Sequence, residues 1–294
     1  MRSRMMFLLV AVLLMVGFVP SSALAATTQL NPTPSCPSVT GSTVEFNNIE
    51  GDPAVDTAVT LELPGFTKDA SFFDSINDTV KKYGDVVGTS YCGTRFDEAG
   101  VVTPAVADKI VALADSYDRV VILASSMGGD VAHRALQKIK HDHPSFDMGK
   151  IHLDLMSSPA GLLTLQFKQI LQCGILAALP NGDYLEQNPT RSFLLGLGLH
   201  ADQTTNYQVD ESRFMAWFMA APGSLAGLGS STYFVSTQDE TVNGPFAYGV
   251  WNTAANGRMK RVDVASKHVD VVGSNATWVA AVSPVMQEAT GVTP

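Results

Sequence analysis

Short apolar runs alternate along this chain with longer stretches in which apolar residues recur every three or four positions. The short runs predict β-strands, and the longer stretches predict amphipathic helices that pack against them. The predicted strands are Val59–Leu63, Val86–Tyr91, Arg119–Ala124, Ile151–Met156, Thr232–Ser236 and Arg261–Val264. The predicted helices are Ser71–Lys82, one that begins at Thr103 and Pro104, Gly128 to about Lys140, and one around Val279.

The strand around Ile122 is apolar on both of its faces, since Val120 to Leu123 contains no polar residue. Such a strand belongs in the middle of a parallel sheet that is covered by helices on both sides. Strands and helices that alternate in sequence form right-handed βαβ units. We therefore predict the α/β class, with a mainly parallel sheet flanked by helices. Thr103 is the expected cap of its helix, with Pro104 in the first helical position.

One region breaks the alternation, because residues 158–229 contain helical patterns but no strand-like pattern. We interpret residues 160–228 as a helical cap, inserted into a core that consists of residues 39–159 and 229–294. Length alone leaves open whether the chain forms one large domain or two small ones.

The N-terminus has the order of a secretory signal peptide. Arg2 and Arg4 precede an apolar run from Met5 to Val19, and the small residues Ala23-Leu24-Ala25 follow. We expect cleavage after residue 25, an irregular lead-in over residues 26–38, and a secreted or extracytoplasmic protein. A retained anchor is the alternative, although the run is shorter than the ~20 residues that a spanning helix needs. No stable membrane insertion is expected after cleavage.

The charge balance argues against nucleic acid and anionic membranes as partners. The formal net charge is −9, and no cluster of lysine or arginine is present. The three cysteines, Cys36, Cys92 and Cys173, have no metal-ligand spacing, so no metal and no other cofactor is predicted. In an exported protein any two of them could form a disulfide, and we favour Cys36 with Cys92.

The segment Ala124-Ser125-Ser126-Met127-Gly128-Gly129 lies between an apolar strand and a helix. A serine at such a turn is held in a strained conformation that exposes its hydroxyl above the sheet. The residues two before and two after it must be small, and here they are Ala124 and Gly128. We predict that Ser126 is a nucleophile; an ordinary glycine-rich turn is the alternative.

A serine nucleophile needs a base, and the base needs an acid that orients it. Of the six histidines, only His268 falls in a loop directly after a late strand, where sites of parallel sheets collect. Asp239 follows the strand Thr232–Ser236 and is the predicted acid, with Glu240 as second choice. Asp154 and Asp263 lie within strand patterns and come after these.

Two backbone N–H groups are expected to hold the oxyanion that forms during acyl transfer. One belongs to Met127, which follows the nucleophile at the start of the helix. The other belongs to Phe66, in the turn Leu63-Pro64-Gly65-Phe66-Thr67, where Gly65 permits a tight bend. A plain Pro-Gly turn explains this fragment equally well.

The order Ser126, Asp239, His268, with Pro64-Gly65-Phe66 upstream, resembles the α/β-hydrolase superfamily. Its Ala-x-Ser-x-Gly turn is most similar to that of small bacterial lipases, and the resemblance extends in order of elements over nearly the whole mature chain. It differs from many members in having Pro64 before Gly65, and from lipases in having Ser125 before the nucleophile. The resemblance implies that residues 160–228 correspond to the superfamily's cap.

We expect a serine hydrolase that cleaves a small-molecule or lipid-like carboxylic ester without a cofactor. On a helix, Phe214, Trp217 and Phe218 share one face and are the expected contacts of an apolar substrate group. Packing of the cap onto the core is the other explanation for these residues. A polyester depolymerase, an amidase, an acyltransferase on the same scaffold, and a binding protein without catalysis are the alternatives.

Overall fold

The computed structural model describes residues 43–49, 51–52, 55–65, 70–92, 100–167, 169–170, 218–268 and 275–294. Seven strands in this part of the chain form one sheet with the spatial order β1-β3-β2-β4-β5-β6-β7. The strands are β1 (Thr43–Ile49), β2 (Ala58–Leu63), β3 (Asp85–Cys92), β4 (Arg119–Ser125), β5 (Ile151–Met156), β6 (Ser230–Ser236) and β7 (Lys260–Val264). Only β1 runs antiparallel to its neighbour, and every other pair is parallel. The predicted α/β class with a mainly parallel sheet is confirmed.

Helices cover both faces of the sheet. They are α1 (Asp74–Val80), α2 (Val102–Ser116), α3 (Gly128–Asp142), α4 (Gly244–Ala254) and α5 (Asn275–Thr290). One apolar layer lies between the sheet and α2, α3 and α4, and includes the fully buried Trp251. The other lies between the sheet and α1 and α5, and includes the fully buried Trp278. Because both faces are covered, the central strands β2, β4 and β5 are buried almost throughout, as their unbroken apolar patterns predict.

The strand order reverses between β2 and β4. The chain passes from β2 to β3 on one side and then returns to β4 on the other side of β2. Ligand sites of open parallel sheets lie outside the carboxyl ends of the strands at such a switch point. Here those ends are followed by Gly65 and Ser126.

The structure corrects several predicted element boundaries. The helix α2 begins at Val102 after an N-cap Val101 that makes no side-chain cap bond, so Thr103 is not the cap. Burial of the Val102 side chain draws that residue into the helix and overrides the capping preference. The predicted helix Ser71–Lys82 is a short α1 flanked by two 3₁₀ turns.

Two elements are absent from the sequence-based prediction. The strand β1 is one of them, and its half-exposed residues give it no continuous apolar pattern. The other is α4, although its start carries the usual signals: Asn243 accepts a hydrogen bond from the N–H of Phe246, and Pro245 lies in the first turn. The sequence Asn243-Gly244-Pro245 is equally typical of a turn, so the pattern does not identify the helix that follows.

The predicted cap falls mostly outside the described residues, as do residues 1–42, Cys36 and Cys173. At its two ends the chain is extended: Gly161 forms an antiparallel bridge with Met219, and Leu165 forms one with Val242. Phe218 and Met219 are not helical, so the helical spacing expected for Phe214, Trp217 and Phe218 does not extend to Phe218. None of the helices in the described part of the chain has both the length and the hydrophobicity that crossing a bilayer requires.

Candidate active site

Ser126 lies at a sharp turn between β4 and α3. Its φ angle is 50°, in the left-handed region that residues with a side chain rarely adopt. The turn is held on both sides, because the Ser126 N–H donates to the Met156 carbonyl at 2.9 Å and its carbonyl accepts from the Gly129 N–H at 3.1 Å. The predicted strained serine turn is therefore present, and the surrounding structure fixes it.

Two glycines make room for this turn. A Cβ on Gly128 would come within 2.1 Å of the Leu63 carbonyl oxygen, so α3 starts in backbone contact with the end of β2. The small residue expected at position 128 is therefore required by Leu63 and Pro64, whose backbone atoms lie nearest to an added Cβ. A Cβ on Gly65 would lie 2.8 Å from the Cβ of Ser126.

The structure brings Ser126, His268 and Asp239 into one hydrogen-bonded row. The Ser126 Oγ lies 2.9 Å from Nε2 of His268, and Nδ1 of the same ring lies 2.9 Å from Oδ2 of Asp239. The three residues follow β4, β7 and β6 respectively, so strands far apart in sequence supply them at one edge of the sheet. A carboxylate can only accept, so the Nδ1 contact suits an N–H donor, and the neutral form of such an imidazole has Nε2 as the acceptor facing the serine hydroxyl.

Asp239 is held by its own loop. Its Oδ1 accepts hydrogen bonds from the N–H groups of Thr241 and Val242, both at 2.8 Å. Its side chain is 2% exposed, while that of His268 is 10% exposed. Three donors therefore surround a carboxyl group that is almost shielded from water. The neighbouring Glu240 is exposed and has no such contacts among the described residues.

The other predicted acids lie elsewhere. Asp154 is fully buried within β5, where burial raises its pKa to about 7 although the Thr232 hydroxyl beside it acts in the opposite direction. Asp263 is exposed and paired with Arg261.

The remaining described histidines serve other contacts. Burial lowers the pKa of His133 to about 4, and its Nε2 lies 2.8 Å from the Ser224 hydroxyl. Burial lowers the pKa of His152 to about 4 as well, and its Nδ1 lies 2.8 Å from the Ser230 hydroxyl. His141 and His143 are exposed, and His200 lies outside the described residues.

One of the two expected oxyanion donors can be located. Met127 caps the N-terminus of α3 next to Ser126, and no acceptor for its N–H is found among the described residues. The first N–H groups of a helix carry partial positive charge, which suits a developing oxyanion. Phe66 lies outside the described residues, although Gly65 directly before it contacts Ser126.

Of the expected substrate contacts, Phe214 and Trp217 lie outside the described residues. Phe218 is 6% exposed and packs between the rings of His133, at 5.2 Å, and Trp251, at 5.8 Å. This packing favours a structural role for Phe218. In the described part of the chain, no group of three or more His, Cys, Asp and Glu side chains is arranged to hold a metal ion.

The sequence argument missed the groups that hold the acid. The Thr241 and Val242 amides are backbone groups, for which no residue type is a signal. The Gln166 side chain is also placed here, and its Nε2 donates to the Asp239 carbonyl at 3.2 Å. Gln166 enters the predicted cap far from Asp239 in sequence, so only the fold brings the two together.

No family model matches the sequence. No curated protein matches it either. Solved structures do resemble its fold. An esterase from Thermogutta terrifontis has a TM-score of 0.54 at 13% identity, covering 84% of this chain and 94% of its own. An enol-lactonase from Burkholderia xenovorans has a TM-score of 0.53 at 14% identity, with coverages of 83% and 96%.

A third similar structure is an N-formylmaleamic acid deformylase from Pseudomonas putida, with a TM-score of 0.53 at 20% identity, covering 82% of this chain and 96% of its own. The names of these three proteins refer to different substrates, and identities this low carry information about the fold alone. The sheet order, the serine turn after β4 and these similarities agree: the chain has the α/β-hydrolase fold.

Proposed function

We propose that this protein is a serine hydrolase that cleaves carboxylic esters through an acyl-enzyme on Ser126. The observation that carries the proposal is the continuous row from Ser126 Oγ through His268 to Asp239, with both hydrogen bonds at 2.9 Å. A serine hydroxyl is a weak nucleophile at neutral pH, and this arrangement of base and acid is the one that activates it.

In the proposed reaction, Ser126 Oγ bonds to the acyl carbon while its proton passes to Nε2 of His268. The charge on the carbonyl oxygen faces the Met127 N–H and, we infer, that of Phe66. The bond from the acyl carbon to the alcohol oxygen then breaks, and Nε2 returns the proton to the leaving alcohol. Water repeats the sequence, with His268 as its base, and releases the acid and free Ser126.

Asp239 keeps its charge throughout this cycle. Its role is to hold Nδ1–H of His268 and to stabilise the imidazolium that exists between the two proton transfers. The Thr241 and Val242 amides hold the carboxylate in the orientation that this role requires. His268 has to be neutral at the start of each half-reaction, so the rate should fall as the medium is made acidic.

The first experiment asks whether Ser126 is an activated nucleophile at all. Wild-type protein is treated with a fluorophosphonate probe, and the labelled peptide is identified by mass spectrometry. The proposal requires a label on Ser126 that is absent in Ser126→Ala and in protein denatured before treatment. Absence of labelling in native wild type would support the alternative of a binding protein that uses the fold without catalysis.

The second experiment addresses the bond that is cleaved. A panel of p-nitrophenyl esters from acetate to palmitate is compared with the matched p-nitroanilides. We expect the esters to react and the anilides to be far slower, because an amine is the poorer leaving group. Faster turnover of the anilides would assign the protein to the amidases instead. Longer acyl chains should react faster if the apolar residues of 160–228 contact the substrate.

We also propose that residues 1–25 are a signal peptide and that the protein acts outside the cytoplasm. The support is the order of charged, apolar and small residues alone. Expression of the full chain in a secreting bacterial host, followed by N-terminal sequencing of the exported protein, is the test. A mature protein that begins at Ala26 agrees with the proposal, and full-length protein retained in the membrane fraction contradicts it.

A further inference from the structure

Three serine side chains form a chain of hydrogen bonds at the carboxyl edge of the sheet. The Ser266 hydroxyl donates to the Ser236 Oγ at 3.0 Å, and the Ser236 and Ser157 hydroxyls share a bond of 2.5 Å. Ser157 directly follows β5, Ser236 ends β6, and Ser266 comes two residues after β7. The chain of hydroxyls therefore crosses three neighbouring strand ends.

All three serines are buried, with exposed fractions of 2%, 3% and 2% for Ser157, Ser236 and Ser266. A hydroxyl shielded from water has a large cost if it lacks a partner, so these bonds constrain the geometry strongly. Ser157 also has a φ angle of 49°, a second left-handed serine besides Ser126. A strained buried residue persists only where its surroundings fix it, and the Ser157 N–H is fixed by the Phe234 carbonyl at 3.1 Å.

Two of these serines lie close in sequence to Asp239 and His268. The Ser236 carbonyl accepts from the Asp239 N–H at 3.3 Å, and the Ser266 carbonyl accepts from the Gln238 N–H at 3.1 Å. Ser266 is two residues from His268. On the other side, Ser157 follows Met156, whose carbonyl accepts from the Ser126 N–H. Each serine is thus close in sequence to a residue of the row or to a residue bonded to one.

The regular pairing of strands ends where these hydroxyls begin. In register, Ser236 is the last residue of β6 and pairs with Val264, the last residue of β7. Just beyond this point two backbone bonds connect the chain after β6 with the end of β7 and the residues after it: the Thr237 N–H donates to the Val264 carbonyl at 2.9 Å, and the Gln238 N–H donates to the Ser266 carbonyl at 3.1 Å. The hydroxyl chain adds side-chain bonds to these, and together they set the separation of the two loops. The Nδ1 to Oδ2 distance of 2.9 Å depends on that separation.

We propose that Ser236, together with Ser157 and Ser266, positions the acid and base loops, so that Asp239 and His268 meet at hydrogen-bond distance. None of the three serines touches the reacting atoms. They act through the spacing of the loops, and their loss should lower turnover while leaving substrate binding intact. This inference rests on the proposed serine hydrolase function for its kinetic consequence, but its structural consequence can be measured without any substrate.

The test compares Ser236→Ala with Ser231→Ala. Both variants remove a buried serine hydroxyl from β6, but Ser231 lies near the opposite end of the strand, where it pairs with Leu153 of β5, away from the described residues of either loop. For each variant we measure the thermal midpoint and the low-field proton resonance of the His268 Nδ1–H. Its reactivity is measured as the rate of fluorophosphonate labelling and as kcat and KM for p-nitrophenyl butyrate.

We expect Ser236→Ala to lower kcat and the labelling rate by about 10- to 100-fold, the size of effect that small misplacements of catalytic groups produce. KM should change less than about 2-fold, and the low-field resonance should shift or broaden. Ser231→Ala should retain both the rate and the resonance of the wild type. If Ser236→Ala also retains its rate and resonance and loses only stability, the proposal is overturned.

Should Ser236→Ala fail to fold, Ser266→Ala takes its place, since it removes only the donor of one bond. In Ser266→Ala, kcat should again fall and the His268 resonance should again shift or broaden. If both kcat and the resonance are unchanged, the proposal is overturned. If wild type itself neither reacts with the probe nor hydrolyses esters, the proposed function fails. In that case the His268 resonance alone decides whether the serines position the two loops.

Discussion

Buried carboxyl groups occur in two regions of this molecule, and their surroundings differ. At the carboxyl edge of the sheet, Asp239 has a side chain that is 2% exposed and receives hydrogen bonds from two backbone N–H groups and from His268. In the interior, Glu62 and Asp130 are 0% exposed, and their carboxyl oxygens have no hydrogen-bond partner among the described residues.

The interior groups respond to burial as isolated charges do. Burial raises the pKa of Glu62 well above its usual range, and the nearby Asp74 adds to the effect. Burial likewise raises the pKa of Asp130, against a smaller opposing effect of Arg134. Such groups are stable when neutral, because an unpaired charge in a low-dielectric interior is costly.

Burial alone does not suit a carboxyl group to orient a histidine. An acid that orients a histidine has to remain charged while shielded from water, and only preorganised donors allow this. Donors of this kind are backbone N–H groups in the loops after parallel strands, which are not used in the hydrogen bonds between strands. Glu62, within β2, and Asp130, in the first turn of α3, have no such donors among the described residues.

The largest expected effect tests whether the carboxyl edge carries the chemistry. Ser126→Ala should lower kcat for ester hydrolysis by on the order of 10⁴-fold or more, leaving a remainder from oxyanion stabilisation and binding. The measurement is steady-state kinetics with p-nitrophenyl butyrate, accompanied by a melting curve. Ser125→Ala, at the neighbouring buried serine, is the matched control and should retain most of the activity; the reverse result would move the nucleophile by one residue.

The next effect compares the activity lost on changing Asp239 with the activity lost on changing other carboxyl groups. Asp239→Asn should cost about 10³- to 10⁴-fold in kcat, because the amide stabilises the wrong histidine tautomer. Glu240→Gln, which changes an exposed neighbour, and Asp154→Asn, which changes an interior carboxyl, should each cost less than about 3-fold by the same reasoning. A large loss in either control with normal turnover in Asp239→Asn would assign the acid differently.

A smaller effect concerns the space around the nucleophile. Gly65→Ala introduces a Cβ 2.8 Å from that of Ser126, so one of the two has to shift, and we expect kcat to fall by about 10- to 100-fold. The control is Gly249→Ala in α4, where no atom lies within 4 Å of the added Cβ. That change should leave kcat unaltered and raise the free energy of unfolding by about 0.5–1 kcal/mol. Equal activities of the two variants would argue against close contact at Gly65.

The smallest effect is a change in the free energy of unfolding, and it concerns the buried carboxyl group of Asp154. Asp154 has a folded pKa of about 7, above its unfolded value, so the folded state holds its proton more tightly. The contribution of that proton to the free energy of unfolding is greatest below about pH 4 and is lost as the pH rises to about 7. Asp154→Asn keeps the neutral form at every pH. It should match wild type at pH 3.5 and exceed it at pH 8 by on the order of 4 kcal/mol in urea unfolding.

His133 and His152 give the opposite slope, which is why the variant has to be compared with wild type at each pH. Their folded pKa values of about 4 lie below the unfolded value, so their contribution to stability is lost as the pH falls from about 6.5 to 4. That contribution is common to both proteins and cancels in the difference. A difference between Asp154→Asn and wild type that does not change with pH would contradict the assignment of Asp154.

The sequence by itself determined the class of the fold and the order of its parts. Continuous apolar runs such as the one around Ile122 identify buried parallel strands, because only a doubly covered strand excludes water from both faces. The serine turn was predictable for a similar local reason, since its strand, its small residues and its helix are contiguous in sequence. His268 and Asp239 could be selected because loops after parallel strands lie at one edge of the sheet.

Only the tertiary structure decided between residues that the sequence leaves equivalent. Asp239 and Glu240 are adjacent carboxylates, and the bend of the loop toward the Thr241 and Val242 amides distinguishes them. For Phe218 the sequence leaves a substrate contact and packing of the cap as alternatives, and the structure shows its ring packed against His133 and Trp251. The partnership of Ser157, Ser236 and Ser266 has no signal in the sequence, because long-range contacts depend on the register of neighbouring strands. A pattern along one segment does not contain that register.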